Sequence, residues 1–310
     1  MKKYRVILDG DPGHDDAIAW MVAQAAENID ILAVTTVAGN KDIDNVTNNA
    51  LNVCSLFGIT APIAKGVQGP LVVPGITAGD FHGVTGLDGA DLPARKTQLS
   101  EMSAVELMVK VLSESTEPVY IIATGAETNV ATLLLYRPDL KTKIAGIYVM
   151  GGGIYTGNWN PAAEFNILVD PEACDIVFNS GIPIVMAGLD VTERALVYPE
   201  DVDRIRELKT PISDIVAKWL DFFGGTHAAM GYKGWPLHDP CAVLALIKPE
   251  LFTIKPAHLS VDTAGLYSRG ETLADFSDKE HFNAQILLDV KREAFVDELI
   301  KVVKSYDNYQ

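Results

Sequence analysis

The sequence predicts an α/β fold built on a mainly parallel, open twisted sheet with helices on both faces. Two observations carry the prediction: short apolar runs alternate with helical patterns along most of the chain, and nearly every apolar run ends on polar or glycine-rich residues. Parallel strands need crossover connections, usually helices, which cover both faces of the sheet, and their sequences therefore read as unbroken apolar stretches. Ligands of such sheets sit beyond the carboxyl ends of the strands, so those polar ends are where a site is expected. A chain of 310 residues buries a large core, and no Ser/Gly/Pro-rich linker or abrupt change of composition divides it. One domain over residues 1–310 is the expectation.

In chain order, Tyr4 to Leu8 reads as a buried strand and Ala17 to Ala26 as an apolar-rich helix. Ile29 to Val37 reads as a second strand and Ile43 to Phe57 as a helix. Val119 to Ala123 and Ile144 to Met150 are strands, and Ile184 to Ala187 is a strand that follows a helix starting near Pro171. Their ends are Thr36-Val37-Ala38-Gly39-Asn40, Thr124-Gly125, Met150-Gly151-Gly152-Gly153 and Gly188-Leu189-Asp190. Each alone is an ordinary turn; together they predict a rim of convergent groups above the sheet. Two loops add to the rim. Ala78 to Leu92 carries Phe81, His82 and the glycines of a folded loop, and Gly157 to Asn166 offers amides and one acid beside Trp159 and Phe165. Such a set of donors and acceptors suits a polyhydroxylated ligand.

The densest chemistry is at the first strand end, where Asp9, Asp11, Asp15 and Asp16 fall within eight residues. Carboxylates this close repel one another unless a cation lies between them, which points to a divalent metal held by oxygen ligands. A helix cap accounts for Asp15 or Asp16 but not for four acids and the Pro12-Gly13 bend. An EF-hand loop starting at Asp9 places His14 at the sharp-turn glycine and Trp20 at the bidentate glutamate, so that pattern fails. An aspartyl-phosphatase loop is the nearer rival, with Asp9 and Asp11 as nucleophile and acid; it leaves Asp15 and Asp16 without a role and finds no partner lysine with distal paired acids.

Composition narrows the partners. Acids outnumber bases 41 to 25, a formal charge of -16, which disfavours a phosphate backbone and hence nucleic acid. Cys54, Cys174 and Cys241 are widely separated and lack metal-ligand spacing, so neither a disulfide framework nor a zinc site is implied. The apolar run after Met1-Lys2-Lys3 is too short for a signal peptide or membrane span, and a cytoplasmic protein is expected.

These residues resemble the calcium-dependent nucleoside hydrolases, the inosine-uridine-preferring group. The resemblance rests on Asp9-Gly10-Asp11-Pro12-Gly13-His14-Asp15-Asp16-Ala17, on Val37 to Asn40, and on His82-Gly83 with Gly86-Leu87-Asp88-Gly89. It continues through Met150-Gly151-Gly152, Pro161 to Asn166 and His238-Asp239-Pro240, in family order from near residue 4 to about residue 250. It implies a Rossmann-like nucleoside hydrolase fold and an enzyme that cleaves the N-glycosidic bond of ribonucleosides to free base and ribose. Uridine and cytidine are the expected substrates and inosine a further one, although Phe222 to Trp235 departs from the pyrimidine-cleaving members.

The resemblance also implies roles. Asp11, Asp16 and Asp239 look like Ca²⁺ ligands through side chains and Thr124 through its carbonyl, although Ala126-Glu127 beside it departs from the family pattern. Asp11 looks like the general base toward a Ca²⁺-bound water, and His238 like the acid toward the leaving base. Asp15, Asn40, Asn158, Glu164 and Asn166 look like ribose contacts. His82 and His227 look like substrate contacts on the base side, His227 in the Phe222 to Trp235 stretch that resembles the family's mobile cover. Family membership further implies a homo-oligomer, tetramer or dimer, with no nucleic acid or membrane partner. A nucleoside-binding protein that has lost the hydrolytic geometry is the non-enzymatic alternative.

Overall fold

The structure is a computed structural model and describes residues 3–306. Eleven strands are found among these residues: β1 (Tyr4–Gly10), β2 (Ile29–Thr36), β3 (Ile63–Ala64), β4 (Val119–Ala123), β5 (Ile144–Met150), β6 (Ile184–Ala187), β7 (Leu196–Val197), β8 (Trp235–Pro236), β9 (Phe252–Val261), β10 (Thr272–Asp275) and β11 (Ala284–Val290). The helices are α1 (His14–Ala25), α2 (Ile43–Phe57), α3 (Ala104–Glu114), α4 (Thr128–Tyr136), α5 (Phe165–Val169), α6 (Pro171–Phe178), α7 (Leu189–Thr192), α8 (Pro199–Arg206), α9 (Pro211–Ala229), α10 (Pro240–Ile247) and α11 (Arg292–Ser305).

Nine strands form one sheet in the order β10-β9-β11-β6-β5-β4-β1-β2-β3. From β3 to β11 every pairing is parallel, and β9 and β10 close one edge antiparallel. The run β3-β2-β1-β4-β5-β6 is the doubly wound order, in which the chain leaves β1 in one direction and returns at β4 on its other side. Its switch point, a crevice left because the crossovers diverge, therefore lies beyond the carboxyl ends of β1 and β4.

Alternation along the strands explains the two cores. On β1, Val6 and Leu8 pack into a cluster with α1, α2, α9, α10 and α11, while Ile7 between them packs with α3, α4 and α6 on the opposite face. Trp20, Trp219 and Tyr306 are fully buried in the first cluster, and the Tyr306 hydroxyl donates to the carbonyl of Met21 at 3.0 Å. Side chains of this size each contribute on the order of 2 kcal/mol through burial.

Several predicted elements coincide with those observed, and four boundaries shift, two of them by one residue: α1 ends at Ala25 rather than Ala26 and β2 at Thr36 rather than Val37. β1 runs on to Gly10, because Asp9 is tied to β2 and α4 by its side chain. The first helix begins at His14 rather than Ala17, so Asp15 and Asp16 lie in its first turn and not in the turn before it. Their charge faces the positive end of the helix dipole there.

Candidate active site

The switch point opens into a cavity of about 290 Å³. Of the residues singled out in the sequence, Asp15, Asn40, His82, Thr124, Asn158, Glu164, Asn166, His227, His238 and Asp239 all line it. Asp11 and Asp16 do not line it; both are wholly buried, one layer beneath.

Asp11 sits where two glycines leave room. A Cβ on Gly39 would fall 2.2 Å from its Oδ2, and one on Gly125 2.6 Å from its Oδ1. Oδ2 accepts the Asn40 amide at 2.6 Å, and the Asn40 side chain donates to the Asp11 carbonyl at 3.1 Å. Oδ1 is buried with no protein partner. Asp16 accepts from the Thr124 hydroxyl at 2.6 Å and from the Gly13 amide at 3.0 Å, so it also caps α1. The cap and the acid cluster are thus not alternatives.

Asp239, arriving at the start of α10, completes the cluster: carboxylate oxygens of Asp15, Asp16 and Asp239 lie within 4.8 Å of one another. Burial first, and then neighbouring carboxylates, raise Asp11 and Asp239 well above the usual carboxylate range and Asp15 to about 8. Asp239 lies beside Asp15 and Asp16, whose negative charges push its carboxyl up further. A buried set of oxygen donors that must otherwise bind protons, with one oxygen unpartnered, fits a hard divalent cation. Thr124 is also at the wall, and its carbonyl accepts from Asn166 Nδ2 at 3.0 Å.

Asp9 has a different place. Its Oδ1 accepts from Thr35 at 2.6 Å and from Asn129 at 2.8 Å, burial raises it to about 7, and it is absent from the cavity wall. As a nucleophile for phosphoryl transfer it has no access to a substrate.

On the loop from β5 to α5, Glu164 caps α5. It accepts from Asn166 N at 3.0 Å, Gly152 N at 2.9 Å and Ile167 N at 3.2 Å, and these bonds hold it at the wall against the burial that raises its pKa. Asn166 donates to the Thr124 and Met150 carbonyls, leaving its Oδ1 for the cavity. Asn158 uses Oδ1 on the Phe165 amide at 2.9 Å, leaving its amide hydrogens.

The other wall is aromatic. Phe223 lies nearly parallel to His82, with centroids 5.5 Å apart, and edge-on to His227 at 4.4 Å. His14 reaches the Asp88 carbonyl through Nε2 at 2.7 Å. A carbonyl only accepts, so Nε2 carries the hydrogen, and in neutral His14 the Nδ1 is an acceptor. Burial pushes His14 down to about 4, and its Nδ1 meets His82 Nδ1 at 3.0 Å. The His14 backbone N–H also points at His82 Nδ1, at 3.3 Å. His227 donates Nδ1–H to the Phe223 carbonyl at 2.9 Å. His238 holds Nδ1 on the Thr192 hydroxyl at 2.8 Å, and burial pushes its pKa down to about 3.

Two residues of the site escaped the sequence: Glu193 in the wall and Thr192 behind His238. Both lie within one helical turn of Gly188-Leu189-Asp190, already marked as a strand end.

A family model described as inosine-uridine preferring nucleoside hydrolase matches residues 6–297. The chain is 48% identical over 308 residues to the pyrimidine-specific ribonucleoside hydrolase RihA of Escherichia coli O7:K1, covering 97% of this chain and 98% of that protein. The RihA of Shigella sonnei matches at the same identity and coverage. Among solved structures, the purine-preferring ribonucleoside hydrolase from Gardnerella vaginalis superposes with a TM-score of 0.92 at 28% identity, covering 99% of this chain and 100% of that one. The plant nucleoside hydrolase PpNRh1 does so with 0.89 at 28% identity, covering 97% and 99%.

Proposed function

The chain belongs to the inosine-uridine preferring nucleoside hydrolase family, and from that premise we propose a Ca²⁺-assisted hydrolase of pyrimidine ribonucleosides, releasing free base and ribose. Hydrolysis of N-glycosyl bonds in ribonucleosides follows from the family. The preference for uridine and cytidine over inosine is supported by the pyrimidine-specific relatives. The observation that carries the reading is the buried cluster of Asp15 and Asp239 in the cavity wall with Asp11 and Asp16 one layer beneath, at the switch point.

In this reading Asp11, Asp16, Asp239 and the Thr124 carbonyl would hold Ca²⁺, which when bound would supply positive charge that neutralises the cluster and polarises a water. Asp11, with its unpartnered Oδ1, takes the proton from the attacking water. Asp15 accepts from the ribose hydroxyls, with Asn40, Asn158, Glu164 and Asn166 as further partners. These carboxylates also stabilise the positive charge that develops on the sugar as the bond to the base breaks.

The base leaves toward His238. With Nδ1 on the Thr192 hydroxyl, the imidazole directs Nε2 at the cavity. Burial keeps the free imidazole neutral; the negative charge growing on the departing base opposes that effect, so His238 takes up a proton from solvent and passes it to the base. The reading includes a single domain and a cytoplasmic homo-oligomer, dimer or tetramer.

The test is ribose release from uridine, cytidine, inosine and adenosine by chelated protein before and after resupply of Ca²⁺. Calcium-restored cleavage, fastest on uridine and cytidine, is the expected result. Binding of nucleosides without cleavage would instead favour the non-enzymatic reading, and restoration by Mg²⁺ but not Ca²⁺ would remove the ion assignment.

A further inference from the structure

Glu193, whose backbone N–H closes the C-terminal end of α7, has a carboxylate at the cavity wall that lies outside the acid cluster and caps no helix with its side chain. It follows α7 and is partly buried; its described partner is the Tyr232 hydroxyl, which donates to Oε1 at 3.3 Å. Among the described residues no lysine or arginine forms an ion pair with it, although both of its chain neighbours are otherwise engaged: Thr192 with His238, and Arg194 with the Asp190 carbonyl. Burial, the leading effect, raises its carboxyl above the ordinary value. A carboxylate in that position accepts hydrogen bonds only, and its burial is costly until a donor meets it.

The position of Glu193 tells which donor. Tyr232 packs edge-on to His227 with centroids 5.4 Å apart, and Thr192 ties the same segment to His238. Glu193 is therefore on the histidine and aromatic side, away from the amides and Glu164 assigned to ribose. A nucleobase placed there presents ring N–H or amino hydrogens at the edge remote from the sugar. We propose that Glu193 selects the base: its carboxylate accepts a hydrogen bond from N3–H of uracil or from the amino group of cytosine. The site then takes pyrimidines that carry a donor on that edge. This rests on the reading of the cavity as a ribonucleoside site.

The experiment compares kcat/KM for uridine and for 3-methyluridine, in which a methyl group replaces the N3 hydrogen, in wild type, Glu193→Met and Glu193→Gln, all with Ca²⁺. Methionine keeps the length of the side chain and removes the acceptor; glutamine keeps an oxygen acceptor without the charge. In Glu193→Met the uridine value should fall by about 10- to 100-fold while that for 3-methyluridine changes by less than about threefold, collapsing the ratio between them. Glu193→Gln should fall between the two, and its ratio decides the matter if the methionine variant does not fold. A ratio that stays at the wild-type value overturns the role of Glu193. A wild-type protein that cleaves neither nucleoside overturns the reading of the cavity instead.

Discussion

Asp11 is held from both sides by backbone that has no side chain, and its Oδ1 is left to the interior without a partner. Asp11→Asn preserves that packing and removes the base, so turnover of uridine should fall by about 10²- to 10⁴-fold with an unchanged circular dichroism spectrum. Near-normal turnover in the folded variant would sink the role. His238 separates two halves of the chemistry. His238→Ala should slow uridine by about 10²-fold or more and spare 4-nitrophenyl riboside, whose leaving group needs no proton; equal losses on both would remove His238 as the acid. At this scale the sequence was legible where function is written in short spacing. Asp11, Asp15 and Asp16 announced themselves by mutual repulsion, whereas Asp239, more than two hundred residues away, came only through the family resemblance. Glu193 and Thr192 carry no motif of their own, because a short helix must fold before Glu193 reaches the cavity and Thr192 meets His238.

Among the elements, α9 joins the core to the site: Trp219 and Leu220 pack inward, and Phe223 and His227 reach the cavity. Gly224 between them lies against Trp235 of β8, where a Cβ would fall 2.5 Å from the indole. Gly224→Ala gains helix propensity but must displace the ring, so urea unfolding should show a net loss of about 1–3 kcal/mol. KM should rise with it, since Phe223 and His227 move together; a variant with wild-type stability and KM would show that Trp235 yields freely. β1, β2, β4, β5 and β6 were readable because burial on both faces writes an unbroken apolar run, whereas β3, with only two residues, was not. The antiparallel edge, β9 to β11, was not read. β9 mixes buried and exposed positions around Pro256, and β10 has only four residues, so neither has the pattern of a central strand.

For the molecule as a whole, two populations of buried groups oppose each other in pH. The raised carboxylates, Asp9 to about 7 and Asp15 to about 8 among them, contribute stability that is complete below the ordinary carboxylate value of 3.8 and is lost as pH rises through their folded values. The lowered histidines, His14 to about 4 and His238 to about 3, contribute stability present above 6.5 and lost as pH falls toward those values. Above 6.5 the histidines are largely neutral folded or unfolded, and the raised carboxylates dominate the slope. Chelated protein should therefore lose at least about 5 °C in Tm between pH 6.5 and 8.5, and millimolar Ca²⁺ should restore more at the higher pH, where fewer protons compete. A Tm indifferent to both pH and Ca²⁺ would mean that the cluster neither protonates nor binds the ion.

Cys54, Cys174 and Cys241 are all buried, on α2, α6 and α10, with burial raising each thiol above its ordinary value. They are silent to alkylating reagents while those helices stay packed, so the protein carries three internal timers of its own opening: one under the β2 crossover, one on the opposite face of the sheet, and one two residues from Asp239.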